Sequence, residues 1–289
     1  MNIGNHQPQQ LPDPKTIQPQ IMLSLDYYTE GPVIGDDGFL YFTSLAGEGI
    51  CRYEDKGYIV WGKGKRPNGQ AIMANGDHLL CDSLASRVVR YSAKGEFLGE
   101  VSPEFINGVK VNCPNDIAVH TDKGFYFTDS IRHKGAVYFV GWGGEAYAVA
   151  TDIDFPNGIV YHKEKKCLYV AESYKNRVLA INLELPISSP NYLRVLANLP
   201  YNDQNRATGN LPDGMAIDAD GRLWVAHYGM QAIQVLSETG DLLATYDSGI
   251  PLTSNLCFSD GCLWITGGLG EPGPGRISRI HVGIEGMPI

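Results

Sequence analysis

Residues 212–228 have the sequence PDGMAIDADGRLWVAHY, in which a turn and an apolar strand are followed by an Asp-Gly turn and a second strand rich in β-formers. Five further segments repeat this phrase: GPVIGDDGFLYFTS from residue 31, GQAIMANGDHLLCDS from 69, PNDIAVHTDKGFYFTDS from 114, PNGIVYHKEKKCLYVAES from 156 and TSNLCFSDGCLWITGG from 253. A spacing of about 40 residues is that of a four-stranded propeller blade. Six copies therefore predict an all-β chain folded as a six-bladed β-propeller.

The strands within each copy are apolar on both faces, as in LYF at residues 40–42 and LWV at 223–225. This pattern is expected where every sheet packs between two neighbours. A linear solenoid would also stack six units, but no polar capping repeat stands at either end, which favours a closed ring. Residues 185–210 depart from the pattern as an insertion between the fourth and fifth copies. We expect a longer surface loop there, at a rim or as a lid over the site.

Composition indicates one large, turn-rich domain. The 289 residues are 43% hydrophobic and include 34 glycines and 17 prolines. We expect residues 21–289 to form the propeller and residues 1–20, which are polar and rich in Gln and Pro, to form an N-terminal arm. The formal charge of -9 offers no basic surface for nucleic acid or anionic lipid, and no run of about 18 apolar residues could span a membrane.

Six cysteines are scattered along the chain without a CxxC pair, at Cys51, Cys81, Cys113, Cys167, Cys257 and Cys262. The opening residues show neither the basic start nor the apolar stretch of a secretory signal. We therefore expect reduced thiols in a cytoplasmic protein.

Polar residues stand at the start of four copies: Glu30, Asn115, Asn157 and Asp213. The first strand of each propeller blade lines the central channel, so residues at this phase converge from distant parts of the sequence. All four offer hard oxygen donors, which suit Ca²⁺, Mg²⁺ or Mn²⁺ better than a zinc site of Cys and His. Without a cation, Glu30 and Asp213 would repel each other, and one would have to bind a proton.

The same residues have a plainer interpretation. Asn-Gly and Asp-Gly are ordinary turn dipeptides, so Asn157-Gly158 or Asp213-Gly214 taken alone would indicate a turn. Recurrence at one phase of the repeat is what favours a binding role for these positions.

The motifs resemble those of the SMP-30/gluconolactonase family of lactone-hydrolysing propellers. The matching phrases, in the family's order, are EGP at residues 30–32, PND at 114–116 with FYFTD at 125–129, PNG at 156–158 with LYVAES at 168–173, and PDGMAIDADGRLWVA at 212–226. The last phrase is the most specific. The resemblance implies a six-bladed propeller that hydrolyses the ester bond of a small lactone, sugar-derived in several members.

The resemblance also implies one divalent metal in the channel, most commonly Ca²⁺, with Zn²⁺, Mg²⁺ or Mn²⁺ accepted. Its ligands would fall at Glu30, Asn157 and Asp213, with Asn115 as a fourth ligand or a substrate contact. Asp213 would also be the general base. Sugar-lactonase members often carry an Arg two residues before the PND-type Asn, where this chain has Cys113. We therefore expect Cys113 to contact substrate in place of that Arg, which makes an acidic or heavily hydroxylated sugar a poorer candidate.

Lactone hydrolysis needs an electrophile for the carbonyl oxygen, a nucleophilic water and a base, and a metal with a nearby carboxylate supplies all three. A carboxylate on a cation has a depressed pKa and is a weak base. Asp116 and Glu172 are therefore alternative bases, or they support the ligands through hydrogen bonds. His227 and Tyr228 follow the LWVA strand, and we expect them at the channel mouth as substrate contacts.

Two other functions stay open at this point. The metal could serve only to hold the blades together in a binding scaffold, or the chain could be a propeller synthase similar to strictosidine synthase, which the oxygen-ligand set disfavours. The expected partner is a small-molecule lactone, with no nucleic acid or membrane. The chain itself is expected to be a monomer or a weak homo-oligomer.

Overall fold

The computed structural model describes residues 8–55, 57–120 and 122–288. These residues form six four-stranded antiparallel sheets and one two-stranded hairpin. The prediction of an all-β, six-bladed propeller is confirmed. In chain order the strands are β1 Gln20–Leu25, β2 Thr29–Ile34, β3 Leu40–Ser44, β4 Gly49–Glu54, β5 Gly57–Lys63, β6 Pro67–Ile72, β7 His78–Asp82, β8 Arg87–Tyr91, β9 Phe97–Glu100, β10 Phe105–Ile106, β11 Val109–Lys110, β12 Pro114–His120, β13 Gly124–Asp129, β14 Gly135–Gly141, β15 Ala146–Ile153, β16 Pro156–His162, β17 Cys167–Glu172, β18 Arg177–Asn182, β19 Leu193–Asn198, β20 Leu211–Ile217, β21 Leu223–Tyr228, β22 Ala232–Leu236, β23 Leu242–Asp247, β24 Leu252–Ser259, β25 Cys262–Gly268 and β26 Gly275–His281.

Five blades are built from four consecutive strands, and the sixth is closed by the N-terminal strand. Blades one to five are β2–β5, β6–β9, β12–β15, β16–β19 and β20–β23, while the sixth has the order β24-β25-β26-β1. β1 pairs antiparallel with β26, from Gln20 opposite Arg279 to Leu25 opposite Gly275. A strand near the start of the chain and one near its end thus pair within one blade, and this pairing closes the ring.

The described part of the N-terminal segment runs along the sixth and fifth blades before β1 begins at Gln20. The Tyr246 hydroxyl donates to the backbone oxygen of Pro12 at 2.8 Å, and the Arg222 guanidinium donates to that of Gln9 at 2.6 Å. Leu11 and Ile17 pack against the core between these blades. A short 3₁₀ helix, Pro14–Thr16, lies in this segment, and two others occur at Ser173–Lys175 and Asp203–Asn205.

Apolar side chains fill the spaces between adjacent blades, as the two-faced strands predict. Between the third and fourth blades, Val137 and Phe139 pack with Leu168 and Val170. The space between the fifth and sixth blades holds Trp224, whose ring stacks on Tyr246 at 5.4 Å, with the ring planes 8° apart. Because each sheet is buried on both faces, the inner strands are held in one orientation relative to the central channel.

All six channel-lining strands carry a register irregularity near their first residues. Each first strand contacts the first strands of the two neighbouring blades, so that β2, β6, β12, β16, β20 and β24 close a ring. The pairing with the second strand shifts in every blade, after Glu30, Pro67, Pro114, Pro156, Pro212 and Thr253. A β-bulge re-aims the side chains beside it. Six bulges at one phase therefore turn six side chains toward one point in the channel.

Residues 185–210 do not form the continuous loop expected from the sequence. Within them, β19 pairs with β18 and supplies the outer strand of the fourth blade. The LRVLAN sequence of β19 has three exposed or half-exposed and then two buried residues, so it lacks the fully apolar character of the inner strands that guided the repeat alignment. The segment 199–210 connects the end of β19 to the start of β20, on the same face as the channel mouth.

The six cysteines all lie in the described residues and are free thiols, with Cys51 and Cys81 buried. Within the described ranges, none of the helices has the length and apolar character that crossing a membrane requires.

Candidate functional site

Six side chains converge from the six bulges at the upper end of the channel, where the first strand of every blade begins. Only 5 to 8% of each side chain is exposed. They are Glu30, Asn68, Asn115, Asn157, Asp213 and Asn255. Sequence reasoning found four of them and missed Asn68 and Asn255. Asn68 stands in a Pro-Asn-Gly phrase like that of Asn157, so an alignment started two residues earlier would have included it.

Four of the six side chains interact directly with one another. The Asn157 side chain hydrogen-bonds the Asp213 carboxylate, and the negative charge of Glu30 raises the pKa of Asp213. The Asn255 side chain hydrogen-bonds Glu30 across the boundary between the sixth and first blades. Residues separated by up to 225 positions in the sequence thus act on one another directly, as the propeller geometry predicted for the channel.

Glycine after the polar residue lets adjacent channel strands approach closely. A Cβ atom on Gly158 would lie 2.2 Å from the backbone oxygen of Asp213, and one on Gly214 would lie 2.0 Å from the side-chain oxygen of Asn255. Both glycines are in strands, β16 and β20, and not in turns. The Asn-Gly and Asp-Gly pairs therefore combine an inward polar side chain with a position that has no room for a side chain.

Hydroxyl groups fasten each channel strand to the next blade. The Thr43 hydroxyl donates to the backbone oxygen of Asn68 at 2.9 Å, and the Thr128 hydroxyl donates to the backbone oxygen of Asn157 at 2.8 Å. Three further bonds of 2.7 to 2.8 Å join Ser83 to Pro114, Ser173 to Pro212 and Ser254 to Thr29. Since each acceptor is a backbone oxygen at or beside a bulge, these bonds hold the converging side chains in position.

Asp116 places a third carboxylate in the channel, at the position where four other blades have glycine. Its side chain is buried, and one oxygen accepts a hydrogen bond from the Ile159 amide at 3.1 Å. Burial raises the pKa of Asp116 to about 7, against the lowering effect of hydrogen bonds from Ile159 and Ile117. Asp116 also lines an inner cavity of about 330 Å³ below the ring. Asn255 of the ring lines the same cavity, so Asp116 stands where the ring meets this inner space.

Burial disfavours the charged forms of all three carboxylates, and repulsion by neighbouring carboxylates adds to this effect at Glu30 and Asp213. The pKa of Glu30 rises to about 8, first because of burial and also because of Asp116 and Glu271, while the Gly31 amide and Asn255 lower it. The pKa of Asp213 is raised well above its ordinary value by burial and by Glu30, Asp116 and Glu271. A bound dication would offset this repulsion.

The donor atoms fit a hard divalent cation. The buried side-chain oxygen of Asn68 has no hydrogen-bond partner among the described residues, which is costly unless something binds it. Together with the carboxylates of Glu30 and Asp213 it belongs to an all-oxygen set, the type that Ca²⁺ prefers. The described residues hold no group of three or more His, Cys, Asp or Glu side chains suited to a metal ion. A site here must therefore use amide oxygens as well as carboxylates.

Two tyrosines and a glutamate border the mouth above this ring. Tyr28 and Tyr228 have ring centroids 6.4 Å apart. Burial, then Glu271 and Asp213, raise the pKa of Tyr228, and its hydroxyl bonds the Glu271 carboxylate. Tyr228 was expected at the mouth from the sequence. Glu271 was missed because it lies in the loop between β25 and β26, outside the repeated phrase.

His227 is placed elsewhere than the sequence suggested. None of its side chain is exposed, and its ring nitrogens bond Asn176 at 2.9 Å and Gln234 at 3.3 Å. Burial lowers its pKa to about 4. As successive side chains of β21 point to opposite faces of the sheet, His227 faces the interior between blades while Tyr228 faces the mouth. The structure therefore places His227 away from the mouth, where the sequence had suggested a substrate contact.

Glu172 is occupied by an ion-pair network away from the channel. Its oxygens accept from the Asp154 amide at 2.9 Å, Lys175 at 3.0 Å and Arg177 at 2.5 Å. Although burial raises the pKa of Glu172, these partners lower it below the ordinary value overall. A carboxylate paired in this way is a poor proton acceptor, so the structure argues against Glu172 as a base.

Cys113 lies beside the mouth between the second and third blades. Its amide donates to Asp129 at 2.6 Å, which fixes the backbone just before β12. Burial first, and then Asp129, raise the pKa of the Cys113 thiol, and the nearby Arg66 guanidinium lowers it. The thiol is therefore neutral and half-buried, close to an exposed arginine of the preceding blade.

Comparisons with known proteins agree with this geometry. The model of the SMP-30/Gluconolactonase/LRE-like region matches residues 28–267. Regucalcin from Xenopus laevis is 26% identical over 250 residues, which cover 79% of this chain and 78% of regucalcin.

Two solved structures show the same fold. A gluconolactonase from Xanthomonas campestris has 22% identity and a TM-score of 0.77, with 93% of this chain and 91% of that chain covered. A calcium-binding protein, regucalcin, from Agrobacterium tumefaciens has 16% identity and a TM-score of 0.72, with 93% and 95% covered. The match to the family model covers most of the chain and all the channel residues, so the resemblance seen in the sequence is confirmed. The chain belongs to the SMP-30/gluconolactonase/LRE-like family.

Proposed function

We propose that this protein is a metal-dependent lactonase, a hydrolase that opens the ester bond of a small lactone at the mouth of the propeller channel. The observation that carries the proposal is the convergence of buried carboxylates with an unpartnered amide oxygen on one point. Such a cluster needs a cation to be stable in its charged form. Membership of a family that includes gluconolactonases supports the reaction type.

Glu30, Asn157 and Asp213 would hold the metal, with Asn115 as a fourth ligand or a substrate contact. We add Asn68 to these proposed metal ligands because its buried side-chain oxygen has no hydrogen-bond partner among the described residues. Ca²⁺ is the favoured ion since all the donors are hard oxygens, and a solved relative is described as calcium-binding. When bound, such an ion polarises a carbonyl oxygen and acidifies a coordinated water.

Asp213 is the proposed general base, taking a proton from the attacking water at the carboxylate oxygen that faces the mouth. Its neighbours there are Tyr28, Tyr228 and Glu271, whereas Asp116 lines the cavity below the ring. A substrate entering from the mouth would meet Asp213 first. Asp116 then serves to orient the ring through its bond to the Ile159 amide and to add negative charge behind the metal ligands.

The substrate contacts proposed at the mouth are Tyr228, Asn115 and Cys113. Tyr228 offers a ring face and a hydroxyl on one side of the opening, and its bond to Glu271 fixes its orientation. Cys113, on the opposite side, offers a neutral thiol next to Arg66. The six buried polar side chains of the channel lie between these contacts and exclude bulk water. This exclusion strengthens the electrostatic interactions on which ester hydrolysis depends.

The deciding experiment is acid release from a panel of γ- and δ-lactones, measured with a pH indicator before and after chelation and after readdition of Ca²⁺. The proposal predicts hydrolysis of at least one lactone that is lost with the metal and restored with it. Bound metal without hydrolysis across the panel would instead favour a metal-containing scaffold. Absence of metal binding, tested by calorimetry, would favour a metal-free propeller enzyme of the strictosidine synthase type.

A further inference from the structure

A second cleft opens on the face opposite the channel mouth, between the third and fourth blades. β12 begins at the mouth with Pro114 and ends on the far face at His120, and β16 runs in the same way from Pro156 to His162. At about 3.3 Å per residue, seven residues place the two faces about 20 Å apart. The cleft, which we name the lower cleft, has a volume of about 860 Å³ and shares none of the channel ligands.

The lower cleft is lined by a continuous series of aromatic rings. His120 stacks on Tyr161 at 5.0 Å, and Tyr161 contacts Tyr126 at 5.7 Å. Tyr126 in turn contacts Phe139 at 4.9 Å, and Phe139 contacts Tyr147 at 5.1 Å. Such a surface offers ring faces and edges for stacking with a flat guest. The volume falls in the range of sites for small organic ligands.

Charge distinguishes the two ends of the lower cleft. Lys123 and Lys163 lie close to the His120 ring, since both lower its pKa after the larger effect of burial, and Asp122 raises it. Neither lysine has an ion-pair partner within 4 Å in the part of the chain that the structure describes. Glu145 lies in the turn between β14 and β15, toward the outer strand, where it raises the pKa of Tyr147 after burial. The His120 end therefore has more positive than negative charge.

We propose that the lower cleft binds a small planar aromatic anion, with its ring system on the aromatic series and its anionic group toward Lys123 and Lys163. The aromatic walls favour a flat apolar body, and the two unpaired lysines complement one negative charge. This site uses none of the channel ligands proposed for the lactonase and lies on the opposite face, and its Tyr161 and Lys163 also line the inner cavity of the channel.

The test compares 2-naphthoate with its neutral analogue 2-naphthamide by calorimetric titration of the whole protein. We expect saturable binding of one naphthoate, at least about fivefold tighter than the amide, which is the scale of one partly exposed charge interaction. The double variant Lys123→Gln/Lys163→Gln should lose this preference and leave amide binding unchanged. Lys94→Gln, at an exposed lysine in a turn of the second blade, is the matched control.

A second pair of variants tests whether naphthoate binds in the lower cleft, using an exposed residue at its edge. Ile187 lines the cleft and is 64% exposed, so Ile187→Asp should fold normally and weaken naphthoate binding by about fivefold or more through charge repulsion. Leu84→Asp, at an equally exposed residue (67%) on the mouth face, should have no effect. Equal binding of naphthoate and naphthamide, no binding of either, or equal losses in the Ile187 and Leu84 variants would each overturn the proposal.

Discussion

Replacing Glu30 by Gln should have opposite effects on stability with and without metal. Burial raises the pKa of Glu30 from 4.5 to about 8, so the folded state holds its proton more tightly than the unfolded chain. Its contribution is then fully favourable below about pH 4.5 and is lost as pH rises through about 8. Relative to low pH, the free energy of unfolding contributed by Glu30 should fall by about 3 kcal/mol at pH 7 and by at most about 5 kcal/mol above pH 8.

In chelator, wild-type protein should therefore lose stability between pH 5 and pH 8, and Glu30→Gln should lose less, because an amide has no proton to release. The variant should be the more stable protein at pH 8. In saturating Ca²⁺ the order should reverse, since the charged ligand then pairs with the cation and Gln removes one formal charge from the site.

The assay is urea unfolding at several pH values, in chelator and in Ca²⁺, with calorimetric Ca²⁺ titration of both proteins. Glu96→Gln, at an exposed glutamate in a turn, is the matched control and should follow wild type throughout. If wild type and Glu30→Gln show the same pH dependence in chelator, or bind Ca²⁺ equally well, the reasoning from buried and mutually repelling carboxylates is refuted.

Three further predictions follow from the site and the core. Asp213→Asn at saturating metal should lower kcat for the best lactone by about 10² or more, the scale of a lost general base; a fully metallated variant with near wild-type kcat would exclude Asp213 as base. Gly158→Ala should lower stability by about 1–3 kcal/mol, since its Cβ would meet the Asp213 oxygen at 2.2 Å, and unchanged urea unfolding would contradict the close approach. Denatured protein, freshly prepared without reductant, should take up six alkyl groups by intact mass, and fewer would indicate disulfides.

The repeated phrase was sufficient to predict the fold because each copy encodes a complete structural unit. A strand–turn–strand pattern recurring six times leaves few ways to bury all its apolar faces, and a closed ring is the simplest. The outer strands were harder to predict. β19 contains exposed residues and resembles a loop in composition, because an outer strand has fewer neighbours to pack against and its sequence is less constrained.

The site was predicted in part, and the omissions have a common cause. Glu30, Asn115, Asn157 and Asp213 were found because they occupy one phase of the repeat. Glu271 enters from a loop that has no counterpart in the other blades, so no periodic pattern indicates it. His227 is the opposite case, because the sequence suggested it for the mouth and the structure buries it. It precedes Tyr228 by one residue, and a shift of one position in a strand moves a side chain to the other face.

The sequence by itself determined the number of blades and the oxygen-donor character of the channel, because repetition in a closed ring brings equivalent positions together whatever their distance in the chain. Tertiary structure alone decided how near those groups lie and how they affect one another. The six bulges, the missing side chains at Gly158 and Gly214 and the burial of Asp116 bring three carboxylates into one desolvated space. Their raised pKa values are a property of that space, because desolvation and repulsion depend on distance and burial.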